Sequence, residues 1–264
     1  MYPKLLHIYG SLHINSFGLC LALALVVFIY FISKDSSLRK MLSMDDVINL
    51  TMYTALIGVI SGRILYIITE FPKYESYWDL LNISSGGGSV LGSVIGAVTY
   101  LAVFAYKKNL PVFELLDVGG IYAPIIHSIS RVGCFLAGCC YGCETSLPWA
   151  VTYTNPETVA PLYLSIHPTQ LYSAGIFFLI FLGMYFNFSK IKPTIAGLAF
   201  CMYLALSSLE RIVVDFIRGD RTFLLHKYEI FRILSFHQMV ALSLLSGALI
   251  YLITVNLKKN TVKA

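Results

Sequence analysis

The chain has 264 residues, a formal net charge of +5, 57% apolar residues and only 12% charged ones. Soluble domains carry about 25% charged residues, so this composition and a mean hydropathy of +0.74 exclude an ordinary soluble fold. The positive charge is spread over short loops and forms no basic arm, so no nucleic-acid partner is expected.

Apolar runs long enough to cross a hydrocarbon core of about 30 Å recur along the chain. About seven spans are expected, at Ser16–Ile32, Asn49–Thr69, Gly88–Tyr106, Leu115–Tyr141, Thr169–Phe186, Ile195–Val214 and His237–Val255. Met1 to Asn15 lacks a basic segment followed by an A-x-A site, so the first run reads as a span and not as a secretory leader. Connections are short, without repeat or low-complexity tract. Residues 1–264 therefore read as a single polytopic domain, an all-α integral membrane bundle. Lysine and arginine in the loops set its orientation. Lys34, Arg39 and Lys40, then Lys107 and Lys108, Lys190 and Lys192, and finally Lys258, Lys259 and Lys263 alternate correctly to share the cytoplasmic side. The N-terminus then faces out, with the loops Glu70–Gly87 and Cys143–Pro168, and the C-terminus is cytoplasmic. The segment Phe216–Phe236 breaks the pattern, because it should be outside yet holds Arg218, Arg221, Lys227 and Arg232.

The second span carries SGRILYI. Arg63 stands in an apolar run with Tyr66 one turn on, and is either a binding residue or a snorkelling one. Ser61 and Gly62 are small enough for close helix approach. The third span opens on GGGSVLGSVIG, which suits a packing face or an entry loop. The fourth contains SISRVGCFLAGCCYGCET. At 100° per residue His127, Arg131, Cys134 and Gly138 share a face. A guanidinium inside a membrane costs about 3 kcal/mol even on insertion scales, so Arg131 needs an anionic partner. Its planar fork suits phosphate; a buried carboxylate or snorkelling are the other solutions. His127 is a general base or a satisfied core histidine. Cys134, Cys139, Cys140 and Cys143 read C-x4-C-C-x2-C. Only Cys140 and Cys143 have metal-ligand spacing, so packing is the expected role and no metal site is predicted. Before the fifth span HPTQLYS places His167, Gln170 and Tyr172 at headgroup level, as site residues or interfacial anchors. The sixth ends in LERIVVDFIRGD, where Arg211, Asp215 and Arg218 are spaced to share a helix face. Arg211 is a second candidate phosphate ligand.

Together, SGRILY, GGGSVLGSVIGA, SRVGCFLAGCCYG, HPTQLYSA, ERIVVDFIRGD and LSFHQ, in this order, resemble the bacterial prolipoprotein diacylglyceryl transferase family. The resemblance implies a multi-pass enzyme of the bacterial inner membrane with its N-terminus outside. Such an enzyme moves the diacylglyceryl group of phosphatidylglycerol onto the thiol of a lipobox cysteine in a prolipoprotein signal peptide. Glycerol 1-phosphate leaves, and no cofactor is implied. Arg131 matches the family's lipid-binding arginine and Arg211 its second essential one. Gly133, Gly138 and Gly142 match signature glycines, and Asp215 stands where glutamate is usual. Other positions depart: Leu91 replaces the family's histidine, Cys134 and Cys139 its asparagine and glutamate, Phe17 and Ser207 two tyrosines. The residues and the resemblance together give Arg211, His127 and Asp215 as the catalytic candidates. Arg131, Arg63, Gly142, His167, Gln170 and Tyr172 are the substrate-binding ones. Because a leucine accepts no proton, the acceptor thiol is activated by other groups, His127 among them, or the activity is altered. A divergent non-catalytic phospholipid-binding or translocating protein is the alternative.

Overall fold

A computed structural model describes residues 2–9, 12–70, 89–188, 195–221 and 234–261. The loop Glu70–Gly87 beyond its first residue, Lys190, Lys192, Lys227, Arg232 and Lys263 lie outside the described residues. The chain opens on an antiparallel hairpin, β1 (Lys4–Tyr9) and β2 (Leu12–Asn15). Helices follow as α1 (Ser16–Ser33), α2 (Ser36–Met41), α3 (Met44–Glu70), α4 (Val90–Lys107) and α5 (Val112–Ala137). A second small hairpin, β3 (Val151–Thr152) and β4 (Ser165–Ile166), precedes α6 (Thr169–Phe188), α7 (Leu198–Asp215) and α8 (Phe236–Thr261).

Five of the helices are long and apolar enough to cross a membrane: α1, α3, α5, α6 and α8. Helices also occupy the other two expected spans. The apolar part of α4 is shorter, at Gly92–Lys107, and α7 carries Glu210, Arg211 and Asp215. The outward faces are apolar. On α1, Leu19, Leu23, Val26 and Tyr30 are each at least 54% exposed and recur at helical spacing. Such a stripe needs lipid to cover it.

At the centre stands α5, half of whose span is buried against 17% for α1 and α3. It packs on α1, α6 and α7. Leu115, Val118, Ile121, Tyr122 and Ile125 meet Leu38, Leu42 and Val47 in one apolar core that also takes in Phe181, Met184 and Ala199. Between membrane helices such contacts stabilise through close van der Waals packing, since lipid is as apolar as the side chains. Two carboxylates tie this end together. Asp35 caps α2 by accepting from the Ser37 and Leu38 amides at 2.8 and 2.9 Å, and it accepts from the Tyr122 hydroxyl at 2.9 Å. Asp117 accepts from the Gly197 and Phe200 amides at 2.7 and 3.0 Å, fixing the start of α7.

The SGRILY segment of α3 packs on the glycine face of α4. A Cβ on Gly92 would lie 2.6 Å from the Ser61 carbonyl oxygen and 2.7 Å from Leu65 Cβ. Of the two roles expected for those glycines, close packing is the one the described part adopts.

Candidate functional site

The site lies at the opposite end of α5. The helix stops at Ala137, earlier than the expected Tyr141, because Gly138 takes the left-handed conformation (φ 76°) and its amide returns to the Cys134 carbonyl. This is the glycine helix stop. It leaves Arg131 about 9 Å short of the helix end at 1.5 Å per residue. Cys140 is also left-handed (φ 61°), so the chain turns twice and runs back over the last turn.

Beyond that turn, Tyr141–Cys143 runs between two other segments. On one side the Gly142 amide donates to the His167 carbonyl at 3.1 Å and the His167 amide to the Cys143 carbonyl at 3.0 Å. On the other, the Cys143 amide donates to the Ile217 carbonyl at 2.9 Å and the Gly219 amide to the Tyr141 carbonyl at 3.0 Å. Close backbone approach explains Gly142: a Cβ there would lie 2.6 Å from the His167 carbonyl oxygen. Three motifs far apart in sequence are thus joined by main-chain bonds.

The first residues of α6 brace the same loop. Thr169 donates its hydroxyl to the Cys140 carbonyl, and Gln170 its amide nitrogen to the Cys139 carbonyl, both at 2.8 Å. Gln170 is buried, and its Oε1 finds no hydrogen-bond partner among the described residues. Tyr172 faces outward, with its hydroxyl 2.7 Å from Trp149 Nε1 and 3.3 Å from His167 Nδ1.

Arg211 and Asp215 form the expected i,i+4 pair at 3.3 Å. Arg218 does not extend it, because α7 ends at Asp215; it forms a two-pronged pair with Asp220 at 2.8 Å. The other partner of fully buried Asp215 is Arg221, at 3.5 Å, and Arg221 also donates to Gln238 Oε1 at 3.1 Å. Burial opposes the Arg218 charge, yet the Asp220 bonds and the nearby Cys140 hold its pKa above the ordinary guanidinium range. Arg131 stands apart. Half-buried, it has neither hydrogen bond nor ion pair among the described residues, and its field adds to that of Arg218 at Arg211. Asp215 is thus shared by two guanidiniums, Asp220 serves a third, and the fourth has no carboxylate.

His127 lies one turn below Arg131 in an aromatic slot. Its ring meets Phe177 edge-on at 4.7 Å, and its Nε2 is 3.2 Å from the Tyr203 hydroxyl. Arg63 is carried on the α3–α4 pair, with its guanidinium 5.8 Å from the Tyr66 ring and its Nε buried. Leu91 falls in the first turn of α4.

The cysteines depart from the spacing argument. Cys143 is exposed and does not join the cluster. Instead the sulfurs of Cys134, Cys139 and Cys140 all lie within 4.8 Å of one another. The Cys139 thiol donates to the Cys134 carbonyl at 3.8 Å.

Sequence reasoning also missed Glu210, which is buried and accepts the Ser173 hydroxyl, joining α6 to α7. It assigned no role to Gln238, fully buried within LSFHQ and bonded to the Ile212 carbonyl at 3.1 Å. A glutamate beside an essential-looking arginine, and a glutamine in a short polar patch before an apolar run, were the available signals.

The profile of the prolipoprotein diacylglyceryl transferase family matches residues 3–254. A phosphatidylglycerol–prolipoprotein diacylglyceryl transferase of Clostridium tetani is 31% identical over 220 residues, covering 83% of this chain and 86% of that one. Transferase 2 of Clostridium perfringens is 32% identical over 213 residues, 80% and 81% of the two chains. A transferase of Dehalococcoides mccartyi is 28% identical over 216 residues, 82% of each. The chain belongs to the prolipoprotein diacylglyceryl transferase family.

Proposed function

We propose that this membrane enzyme transfers the diacylglyceryl group of phosphatidylglycerol to the lipobox cysteine thiol of a prolipoprotein, the first step of lipoprotein maturation in the bacterial inner membrane. We read it as one domain of about seven spans, N-terminus outside and C-terminus cytoplasmic. The observation that carries this reading is Arg131, a half-buried guanidinium inside the bundle that has no anionic partner among the described residues. A phospholipid phosphate supplies one, and Arg211, whose charge is felt together with that of Arg131, is the second ligand in this reading.

The chemistry follows from that placement. The acceptor sulfur attacks the glyceryl carbon that bears the phosphate. A carbon–sulfur bond forms, the carbon–oxygen bond breaks, and its electron pair leaves on glycerol 1-phosphate. Arg131 and Arg211 stabilise the negative charge growing on the departing oxygen and favour the thiolate form of the acceptor. The thiol proton passes to His127 or to the bound phosphate. Asp215 acts by position, holding Arg211 and Arg221 toward the site. Gly142, His167, Gln170 and Tyr172 shape the wall over the headgroup, and Arg63 guides the lipid from the α3–α4 side. An apolar crevice of about 660 Å³ between α6 and α7, lined by Ile180, Met184, Met202 and Leu206, takes an acyl chain. Lys4–Glu157 at one end and Lys108–Asp46 at the other join segments that the topology places on the same side.

The test is purified protein in phosphatidylglycerol vesicles with a lipobox peptide, read by mass spectrometry. The peptide gains one diacylglyceryl group. Lipid binding with an unmodified peptide overturns the enzyme reading and leaves a binding protein. Rescue of a bacterium depleted of its own transferase is the corresponding test in cells.

A further inference from the structure

The reaction above makes no use of the three clustered thiols, and their arrangement has a chemistry of its own. Cys134 sits on the last turn of α5, and two left-handed residues, Gly138 and Cys140, fold Cys139 and Cys140 back over it. The turn is braced from outside: Gln170 holds the Cys139 carbonyl and Thr169 the Cys140 carbonyl. A Cβ on Gly138 would lie 2.7 Å from Thr158 Cβ, so the reversal is also packed. Three sulfurs within 4.8 Å of one another are the result.

Metal–sulfur bonds of about 2.3 Å place the sulfurs of a tetrahedral site about 3.8 Å apart. Closing from the present spacing takes shifts of about 1 Å or less, within reach of side-chain rotation alone. An all-sulfur donor set selects soft ions over magnesium or calcium. Charge is compatible as well. Three thiolates around a divalent ion carry a net negative charge, and Arg131, three residues before Cys134 on α5, carries a positive one. We propose that Cys134, Cys139 and Cys140 form a three-thiolate site for a thiophilic divalent metal ion, with Zn²⁺ as the type, beside the arginine cluster. The fourth tetrahedral position is open to an exogenous ligand. Cys143 takes no part.

The site is tested without reference to lipid transfer, so its failure is separable from failure of the enzyme reading. Full-length protein, purified in detergent under a phosphine reductant and stripped with a chelator, is titrated with Zn²⁺ against a chromophoric competitor. One ion binds per chain. Cys134→Ser, Cys139→Ser and Cys140→Ser each weaken binding by about 100-fold or more, since even loss of a group behind a metal ligand costs 10- to 100-fold. Cys143→Ser and Cys20→Ser leave it unchanged. Co²⁺ in place of Zn²⁺ gives the unmodified protein the intense near-ultraviolet sulfur-to-cobalt absorption of a thiolate site, a readout independent of any variant's folding. No stoichiometric uptake by the reduced protein overturns the proposal. So does uptake that survives the three cysteine changes together, or a cobalt spectrum of oxygen and nitrogen ligands only.

Discussion

The two ends of α5 handle buried charge in opposite ways. At the end near Val112, both buried carboxylates are met by neutral donors at ordinary lengths: Asp35 by two amides and a tyrosine hydroxyl, Asp117 by two amides. These are caps and struts, complete within the protein. At the other end, among the described residues, Asp215 meets only guanidiniums, at 3.3 and 3.5 Å, and neither of its oxygens has a hydrogen bond. Gln170 leaves Oε1 unpaired and Arg131 has no partner among the described residues. Buried polar groups are normally satisfied. Around Asp215, Gln170 and Arg131 this is not so among the described residues, and in the proposed function a lipid phosphate meets the surplus positive charge.

Substitution at the two ends should therefore separate activity from stability. The largest effect is expected for Arg131→Ala, which removes a charge that bonds nothing in the free protein. Transfer should fall by about 100- to 1000-fold, the range for loss of one oxyanion-stabilising donor, with the unfolding midpoint nearly unchanged. Arg131→Lys should recover only part, because a point charge lacks the planar fork. A large loss of stability in Arg131→Ala would show that the guanidinium is a strut after all.

Asp35→Ala is the mirror experiment. It strands two amides and the Tyr122 hydroxyl in a buried place, at a cost of about 1–3 kcal/mol. Denaturation in detergent should report that loss, while transfer per folded molecule stays at the level of the unmodified chain. Between the two comes Gly142→Ala. Its added methyl must displace the His167 backbone, and overpacking of this kind costs about 1–3 kcal/mol. Here stability and transfer should fall together, because the strand that it disturbs joins three segments of the site.

The contrast between the ends also explains what was legible in the sequence. The helices were, because apolar runs and helical spacing are local properties. So was the Arg211–Asp215 pair, one turn apart. The two hairpins, β1–β2 and β3–β4, were not, because neither carries a long alternating apolar pattern. Arg221 displaced Arg218 as the second partner of Asp215 because α7 ends there, with no proline and with Gly219 four residues on. The thiol cluster was hidden for a related reason. Spacing rules assume a continuous helix through Cys139 and Cys140, and a left-handed non-glycine residue such as Cys140 leaves no compositional mark. Ser173–Glu210 and Asp117–Gly197 join residues 37 and 80 positions apart, pairings that only the packed bundle selects.

His127 sits between the two regimes, one turn from Arg131 yet paired with Tyr203 and packed on Phe177. If it took the thiol proton alone, His127→Ala would cost the 10²–10⁴ of a sole general base. Its ring is already occupied, by Tyr203 at Nε2 and by Phe177, as the satisfied carboxylates are at the end near Val112. The bound phosphate beside Arg131 is the alternative acceptor. The expected loss is accordingly smaller, about tenfold, and Tyr203→Phe should alter transfer by less than His127→Ala. Measured against the Arg131→Ala value, a loss as large as that one would move His127 from the satisfied groups into the reacting site.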